Sequence, residues 1–160
     1  MRTVILCIGG NLGDRETHLL ETLDFLHFNV GDVISQSSVF ETEPWEMSEA
    51  PTFYNQIVSI HSNLSNNELM AEIREIEAFY GRERNKMSYV SREMDVDVIF
   101  IDNEIIDLPD FQVPHPKMQS RRFVLEPLAE IAPDKIHPVL NKTIKELLNE
   151  CTDSHRVKKI

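Results

Sequence analysis

The stretch Met94-Asp95-Val96-Asp97-Val98-Ile99-Phe100-Ile101 is apolar except for two aspartates that stand two residues apart. Its β-branched and aromatic residues predict a strand. Because alternate side chains of a strand share a face, Asp95 and Asp97 should point the same way, with Cα atoms roughly 6.6 Å apart. The apolar residues of the opposite face should pack into the core; they are Met94, Val96, Val98 and Phe100.

The elements before this strand alternate between strands and helices. Ser65 and Glu68 have the spacing of a capping box and open a helix that ends at Gly81. The glycine-rich stretch Gly9-Gly10-Asn11-Leu12-Gly13 predicts a tight strand-to-helix turn. Asp14 follows it and is predicted to cap an earlier helix. Further strands are predicted at residues 4–8, 32–40 and 53–61. The resulting order, β-α-β-β-α-β, is that of ferredoxin-like folds.

Additional elements follow the quoted strand. Asn103-Glu104 is predicted to turn the chain into a short hairpin with a strand at residues 111–113, and helices are predicted at 123–131 and 143–151. The predicted fold class is therefore α/β of the α+β kind, a ferredoxin-like core with an additional C-terminal hairpin and helices.

Length and composition limit the classes of protein and partner. The 160 residues fit one compact domain over residues 1–160. No apolar run approaches the roughly 20 residues that cross a bilayer, and the N-terminal run lacks the length and cleavage site of a secretory signal, which predicts a cytoplasmic protein. The net charge of −11 argues against nonspecific nucleic-acid binding, which needs a basic surface. We therefore expect small-molecule substrates and neither nucleic acid nor membrane as partners.

The paired aspartates are a candidate metal site. Two carboxylates side by side on a rigid strand repel each other unless a cation lies between them, and Mg²⁺ binds one or two carboxylates together with phosphate oxygens. Two such ions about 3.5–4 Å apart would suit phosphoryl transfer. The alternative is a solvated strand edge, but the apolar flanks and the arginines just upstream favour metal binding by Asp95 and Asp97.

Cations are concentrated just before the aspartates, in a polar segment without helical or strand period. They are Arg82, Arg84, Lys86 and Arg92. Guanidinium groups bind phosphate oxygens through paired hydrogen bonds and can neutralise charge that develops during transfer. The pattern fits a defined anionic ligand such as a triphosphate, and a solvated charged loop stays open as the alternative.

Other residues near these clusters have chemistry that a substrate site could use. The prolines of Val113-Pro114-His115-Pro116 stiffen the backbone around His115, which could donate to a phosphate, although a lone histidine in a turn is more often a surface residue. A flat heterocycle could stack between two of the nearby aromatic residues, although each alone more often belongs to the core; they are Phe53, Tyr54, Tyr89 and Phe123. Glu77 lies one position past the apolar stripe of its helix and is expected to be exposed.

Several segments, taken in order, form a specific set. They are Ile8-Gly9-Gly10-Asn11-Leu12-Gly13-Asp14, Phe53-Tyr54-Asn55, Glu77 with Gly81-Arg82-Glu83-Arg84, Arg92-Glu93-Met94-Asp95-Val96-Asp97, Val113-Pro114-His115-Pro116, and Arg121-Arg122-Phe123-Val124-Leu125-Glu126-Pro127-Leu128. Together they resemble the family of 6-hydroxymethyl-7,8-dihydropterin pyrophosphokinases. The resemblance runs from the first strand to about Pro133, and its most specific part is Arg-x-x-Asp-x-Asp followed by Val-Pro-His-Pro.

The resemblance implies a reaction and a set of site residues. The reaction is the transfer of the whole pyrophosphoryl group of ATP to the pterin hydroxymethyl oxygen in folate biosynthesis, which gives AMP. The resemblance implies that Asp95 and Asp97 hold two Mg²⁺ ions and that Arg82 and Arg92 act with them in catalysis. The residues implied for ATP binding are Glu77, Arg84, Arg92, His115 and Arg121. Those implied for pterin binding are Thr42, Phe53, Asn55 and Phe123.

The chain departs from the family pattern at three places. Tyr89-Val90-Ser91-Arg92 stands where the family often has Trp-Gly-Pro-Arg, and Glu43-Pro44-Trp45-Glu46-Met47 is bulkier than the usual glycine-containing loop. Asp110 stands where some members have a basic residue before the Val-Pro-His segment. These differences concern loop kinetics and nucleotide affinity rather than the core chemistry.

Two other functions compete with this interpretation. A different Mg²⁺-dependent phosphotransferase or hydrolase could use the same aspartates, but it would not need the group formed by Asn55, Phe53 and Phe123. A ferredoxin-like binding module for nucleic acid is the second alternative, and the net charge of −11 and the paired acids on a central strand argue against it.

Overall fold

The computed structural model describes residues 1–44, 50–81 and 93–160. Within these residues, an antiparallel sheet and four α-helices form an α+β fold. The strands are β1 (Arg2–Gly10), β2 (Asp32–Gln36), β3 (Phe40–Thr42), β4 (Phe53–Ser62), β5 (Asp95–Ile101), β6 (Ile106–Leu108), β7 (Phe111–Val113) and β8 (Val157–Lys159). The helices are α1 (Arg15–Asn29), α2 (Asn66–Phe79), α3 (Arg122–Ile131) and α4 (Ile144–Glu150), with a 3₁₀ turn at Met118–Ser120.

The main sheet is built around β1. This strand lies between β4 and β5 and is antiparallel to both. The other edge of β4 pairs with β2 and then with β3, and β3 in turn pairs with β8. β6 and β7 form a separate hairpin. Up to β5 the elements follow the predicted succession except that two strands, β2 and β3, stand where one was predicted. Strand β8 is an element that the sequence pattern did not predict.

Apolar side chains cover both faces of the sheet. Alternate residues of β1 point in opposite directions, so that Leu6 joins one buried cluster and Cys7 joins the other. Helices α1 and α2 cover the first face through residues such as Leu19 and Ile73, and α3 and α4 cover the second face through residues such as Leu125. We call these the α1–α2 face and the α3–α4 face.

Local capping chemistry sets the helix starts as predicted. Asp14 accepts a hydrogen bond from the backbone N–H of Thr17 at 3.1 Å and begins α1. Ser65 and Glu68 form the reciprocal capping box of α2, with hydrogen bonds of 2.8 and 3.2 Å. Thr143 caps α4 in the same way. Each cap satisfies backbone donors that the first helical turn leaves without a partner.

The predicted orientation of Phe100 is wrong. Met94, Val96 and Val98 lie in the cluster of the α1–α2 face, but Phe100 lies in that of the α3–α4 face. The cause is a β-bulge, because Leu6 of β1 pairs with Val98 while the preceding Ile5 pairs with Phe100. The extra residue on β5 reverses the alternation after Val98.

The predicted second strand, residues 32–40, is two strands, and Ser37 separates them. The backbone N–H of Ser37 donates to the carbonyl of Ile57, while the N–H of Ile57 donates to the Ser37 hydroxyl, both at 2.9 Å. The hydroxyl thus takes the place of a backbone acceptor, and the pairing with β4 is interrupted at Ser37, where β2 has ended and β3 has not yet begun.

Two predicted turns also differ from the structure. Gly9 and Gly10 are not in the turn before α1 but extend β1, where they pair with Asn55 and Tyr54. The hairpin strand β7 pairs with β6, so this hairpin closes at residues 109–110 and not at Asn103-Glu104.

Candidate functional site

Three strands bring Asp95, Gly9 and Asn55 into one row. Gly9 of β1 pairs with Asp95 of β5 on one side and with Asn55 of β4 on the other. Directly paired residues share a face, and adjacent strands lie about 4.8 Å apart, so the Cα atoms of Asp95 and Asn55 are separated by roughly 10 Å. By alternation from Leu6 and Cys7, this row lies on the α3–α4 face.

Gly9 provides the space between the two polar residues. A Cβ atom at this position would lie 2.1 Å from Asn55 Oδ1 and 2.4 Å from the backbone carbonyl oxygen of Tyr54. Any side chain would therefore displace the Asn55 amide or the backbone of β4. The sequence analysis did not identify this role, and the signal for it was a glycine next to a β-branched strand.

Asn55 and Thr42 form a buried polar pair. The Asn55 amide donates a hydrogen bond of 2.8 Å to the Thr42 hydroxyl, and the two residues are 6% and 2% exposed. Thr42 pairs with Phe53 across the β3–β4 ladder, and Phe53 is two residues before Asn55 on the same face. Three of the four residues predicted for pterin binding, namely Thr42, Phe53 and Asn55, therefore lie together.

The fourth, Phe123, is in the first turn of α3 on the same side of the sheet. It packs against the cluster of the α3–α4 face. The Arg121 guanidinium carbon lies 5.5 Å from the Phe123 ring centroid, which is within cation–π range. Arg121, predicted to bind ATP, and Phe123, predicted to bind the pterin, are thus neighbours.

The electrostatics around Cys7 show that opposite charges converge on this face. Burial raises the pKa of the Cys7 thiol, and the carboxylates of Asp97 and Asp95 raise it further, while the guanidinium of Arg121 lowers it. Cys7 pairs directly with Asp97 across the β1–β5 ladder. The two carboxylates and Arg121 are therefore close to the same point of the sheet.

The donor set fits Mg²⁺ bound together with a phosphate ligand. Asp95 and Asp97 are partly buried and on one face, as predicted. In the part of the chain that the structure describes, no group of three or more His, Cys, Asp or Glu residues could hold a metal ion by itself. Mg²⁺ commonly takes only one or two protein carboxylates and completes its shell with water and substrate phosphates.

A cleft of about 480 Å³ adjoins Asp97 at the outer edge of β5. Asp97 and His115 are among the residues that line it, together with residues from β5, α2 and the β6–β7 hairpin. The latter include Met70, Phe111 and Gln112. Its volume is within the range of small-molecule sites, and its lining includes a carboxylate and an imidazole.

His115 is held as a neutral donor at this cleft. Burial lowers its pKa to about 4, and the nearby Arg121 cation also lowers it, against the opposing effect of Asp95. Nδ1 accepts a hydrogen bond from the backbone N–H of Lys117 at 3.1 Å. In the neutral ring the proton is therefore on Nε2, which leaves that atom as the donor.

Glu77 is not exposed, contrary to the prediction. Its residue exposure is 1%, and its Oε2 accepts a hydrogen bond of 3.3 Å from the backbone N–H of Val96. The outer edge of β5, opposite β1, supplies this donor. Glu77 therefore fixes the backbone between Asp95 and Asp97 from the side of α2.

The arginines predicted for catalysis and ATP binding before β5 lie outside the described residues. They are Arg82, Arg84 and Arg92. The same holds for Tyr89-Val90-Ser91 and Trp45-Glu46-Met47, two of the departures noted in the sequence.

The chain is similar in sequence to known proteins over most of its length. The model of the 7,8-dihydro-6-hydroxymethylpterin-pyrophosphokinase family matches residues 5–133. A 2-amino-4-hydroxy-6-hydroxymethyldihydropteridine pyrophosphokinase of Aquifex aeolicus is 32% identical over 95% of this chain and 94% of its own. The enzyme of the same name from Bacillus subtilis is 36% identical over 79% of this chain and 75% of its own.

The fold is similar to that of a solved structure. The Plasmodium falciparum HPPK-DHPS crystal structure with pteroate matches 93% of this chain with a TM-score of 0.76 at 16% identity. The match covers 42% of the Plasmodium chain, so the present chain spans less than half of that protein. Among the described residues, no helix has the length and apolar character needed to cross a bilayer.

Proposed function

Because the chain belongs to the 7,8-dihydro-6-hydroxymethylpterin-pyrophosphokinase family, we propose that the row Asp95–Gly9–Asn55 is where its two substrates meet. The observation that carries this proposal is the register of β1, which sets a carboxylate and an amide about two strand spacings apart over a glycine. The phosphates would lie at the aspartate end and the pterin at the asparagine end.

The reaction is the ATP-dependent pyrophosphorylation of 6-hydroxymethyl-7,8-dihydropterin in folate biosynthesis. The pterin hydroxyl oxygen bonds to the β-phosphorus of ATP while the bond from that phosphorus to the oxygen bridging the α-phosphate breaks. AMP leaves with the bonding electron pair, and the hydroxyl proton is released. Such a transfer requires alignment and charge stabilisation more than covalent chemistry.

Asp95 and Asp97 are the proposed ligands of two Mg²⁺ ions. Their shared face and the position of Asp97 beside the cleft support this role. Bound there, the ions would neutralise phosphate charge in the transition state. Glu77 supports the two aspartates by accepting a hydrogen bond from the Val96 N–H between them, and it is also a proposed residue of the ATP site.

The β5-edge cleft is the proposed ATP site. His115 would donate from Nε2 to a phosphate oxygen, and Arg121 would add a fixed positive charge. Arg82 and Arg92 are proposed to stabilise the charge of the transferred group, and Arg84 and Arg92 to bind phosphates, on the sequence evidence alone.

The pterin site is proposed over Gly9, between α3 and the end of β3. The Asn55 amide accepts from the ring through Oδ1, because its Nδ2 donates to Thr42. Phe53 and Phe123 would contact the ring, and the buried environment would exclude water from the edge that Asn55 contacts.

Three broader assignments are proposed as well. The strand order β5-β1-β4 followed by β2 and β3, with all pairs antiparallel, supports a ferredoxin-like core. Pairing of β8 with β3 supports a single domain over residues 1–160. The free thiols of Cys7 and Cys151 are consistent with a reducing compartment such as the cytoplasm.

The direct test is incubation of the chain with ATP, Mg²⁺ and the hydroxymethyl pterin, with separation of the nucleotide products. Pyrophosphoryl transfer gives AMP and a pterin diphosphate in equal amounts. ADP with a pterin monophosphate would indicate an ordinary kinase, and nucleotide hydrolysis that does not depend on the pterin would indicate a hydrolase; either result would contradict the proposal.

A further inference from the structure

The last ten residues, 151–160, lie beyond the residues matched by the family model, which end at 133. We call them the C-terminal segment. Its strand β8 pairs with β3 opposite β4, with Val157 facing Thr42. Hydrogen bonds continue past both ends of the ladder, from Glu43 N–H to the Arg156 carbonyl at 3.1 Å and from Ile160 N–H to the Val39 carbonyl at 3.0 Å. Without β8, the three-residue β3 would be a sheet edge.

The same segment also holds the start of α3. Asp153, whose side chain is 1% exposed, accepts a hydrogen bond of 3.0 Å from the backbone N–H of Arg122. The Arg122 side chain donates back to the carbonyl of Asp153 at 2.9 Å and to that of Cys151 at 3.0 Å. The N-cap residue of α3 is Arg121, whose guanidinium has donors but no acceptor. The carboxylate of Asp153 supplies the acceptor and the negative charge that this helix end favours.

A third contact joins the two anchors at the other end of α3. Lys159 of β8 forms an ion pair of 3.2 Å with Glu130, and Glu130 accepts a hydrogen bond of 2.6 Å from the backbone N–H of Ser38. Glu130 therefore connects α3, β8 and the segment that enters β3. The position of β3 relative to α3 is therefore set in part through the C-terminal segment.

These contacts lie on the two sides of the proposed pterin site. On one side, β8 holds Thr42, which orients the Asn55 amide. On the other side, Asp153 holds the backbone next to Phe123. We propose that the C-terminal segment is a positioning element for the pterin, with Asp153 and the β8 backbone as its positioning groups. This inference rests on the proposed function, and it adds residues that touch neither substrate.

The experiment compares two substitutions at Lys158 in the full chain. Lys158 is exposed and pairs with Glu41 of β3. Lys158→Pro removes a backbone N–H that β8 can donate to β3, whereas Lys158→Ala keeps this N–H. Asp153→Ala is the third variant, and Glu150→Gln, which alters the exposed Lys142–Glu150 ion pair, is a second control beside Lys158→Ala. For each protein, dissociation constants are measured for the pterin and for a non-hydrolysable ATP analogue with Mg²⁺. We expect Lys158→Pro and Asp153→Ala to weaken pterin binding roughly 5- to 50-fold. ATP-analogue binding should stay within about twofold, and both controls should match the wild type.

The outcomes separate this inference from the proposed site. Normal pterin affinity in a folded Lys158→Pro variant overturns the inference, and so does an equal loss of affinity for both ligands, which would mean a purely structural role. Asn55→Ala is measured in parallel. If it weakens pterin binding while the C-terminal variants do not, only the proposal for the C-terminal segment is contradicted. If Asn55→Ala has no effect, both the proposed pterin site and this inference are contradicted. Should Lys158→Pro not fold, Asp153→Ala, which removes the acceptor for the Arg122 N–H, is scored by the same criteria.

Discussion

The amide of Asn55 donates a hydrogen bond of 2.8 Å to the hydroxyl of Thr42, and both side chains are buried. This bond fixes which end of the amide is left for a ligand. Because Nδ2 is used by Thr42, Oδ1 is directed toward the space above Gly9, where a Cβ atom on that glycine would meet it. The orientation of one side chain in the proposed pterin site thus depends on a residue of another strand.

Thr42→Val should weaken pterin binding selectively. Valine keeps the shape of threonine but leaves the Asn55 Nδ2 without its acceptor, a loss of about 1–3 kcal/mol for a buried donor. Titration should show the dissociation constant of the pterin increased, with that of the ATP analogue unchanged. Thr42→Ser, which retains the hydroxyl, is the matched control; if Val and Ser behave alike, the hydrogen bond has no part in binding.

Gly9→Ala should damage both the fold and the pterin site, because the added Cβ would meet Asn55 Oδ1 and the Tyr54 carbonyl. We expect a loss of stability of about 1–3 kcal/mol and strongly reduced pterin affinity. Gly31→Ala is the control, since its Cβ would lie 2.0 Å from the carbonyl oxygen of His61, away from the site. It should lower the melting temperature without changing the affinity of the folded protein, and equal losses of affinity in both variants would contradict a special role for Gly9.

Asp95→Asn and Asp97→Asn should each abolish most of the transfer while the fold is retained. Loss of a metal ligand removes several kcal/mol of charge stabilisation, which corresponds to at least roughly a 100-fold lower kcat. Formation of AMP at saturating Mg²⁺ is the measurement, with circular dichroism to check folding and the exposed Asp24→Asn as the control. Near-normal turnover of either variant would show that the metal assignment is wrong.

His115 should make the protein less stable as the pH falls from about 6.5 to about 4. Its pKa is lowered in the folded state from 6.5 to about 4, so the unfolded chain takes up the proton first on acidification. Urea denaturation across this pH range should show a smaller pH dependence for His115→Gln than for the wild type. A pKa of His115 near 6.5 measured by NMR in the folded protein would contradict the buried, neutral ring.

The sequence alone determined the features that depend on neighbours within a few residues. The helix starts at Ser65 and Thr143 were correctly located, because a cap needs only the next helical turn. The common face of Asp95 and Asp97 followed from strand alternation, and no bulge intervenes between them. The family motifs along the chain were sufficient to identify the reaction.

Only the tertiary structure decided what crosses from strand to strand. The register of β1 places Gly9 between Asp95 and Asn55, a bulge turns Phe100 to the other face, and the outer edge of β5 donates to the buried Glu77. Pairing between segments far apart in sequence depends on the fit of whole strands and helices. A shift of the pairing register by one residue would turn every side chain of a strand to the opposite face of the sheet. Local pattern therefore supplied the chemical groups, and the packing of the sheet against its helices determined which of them meet.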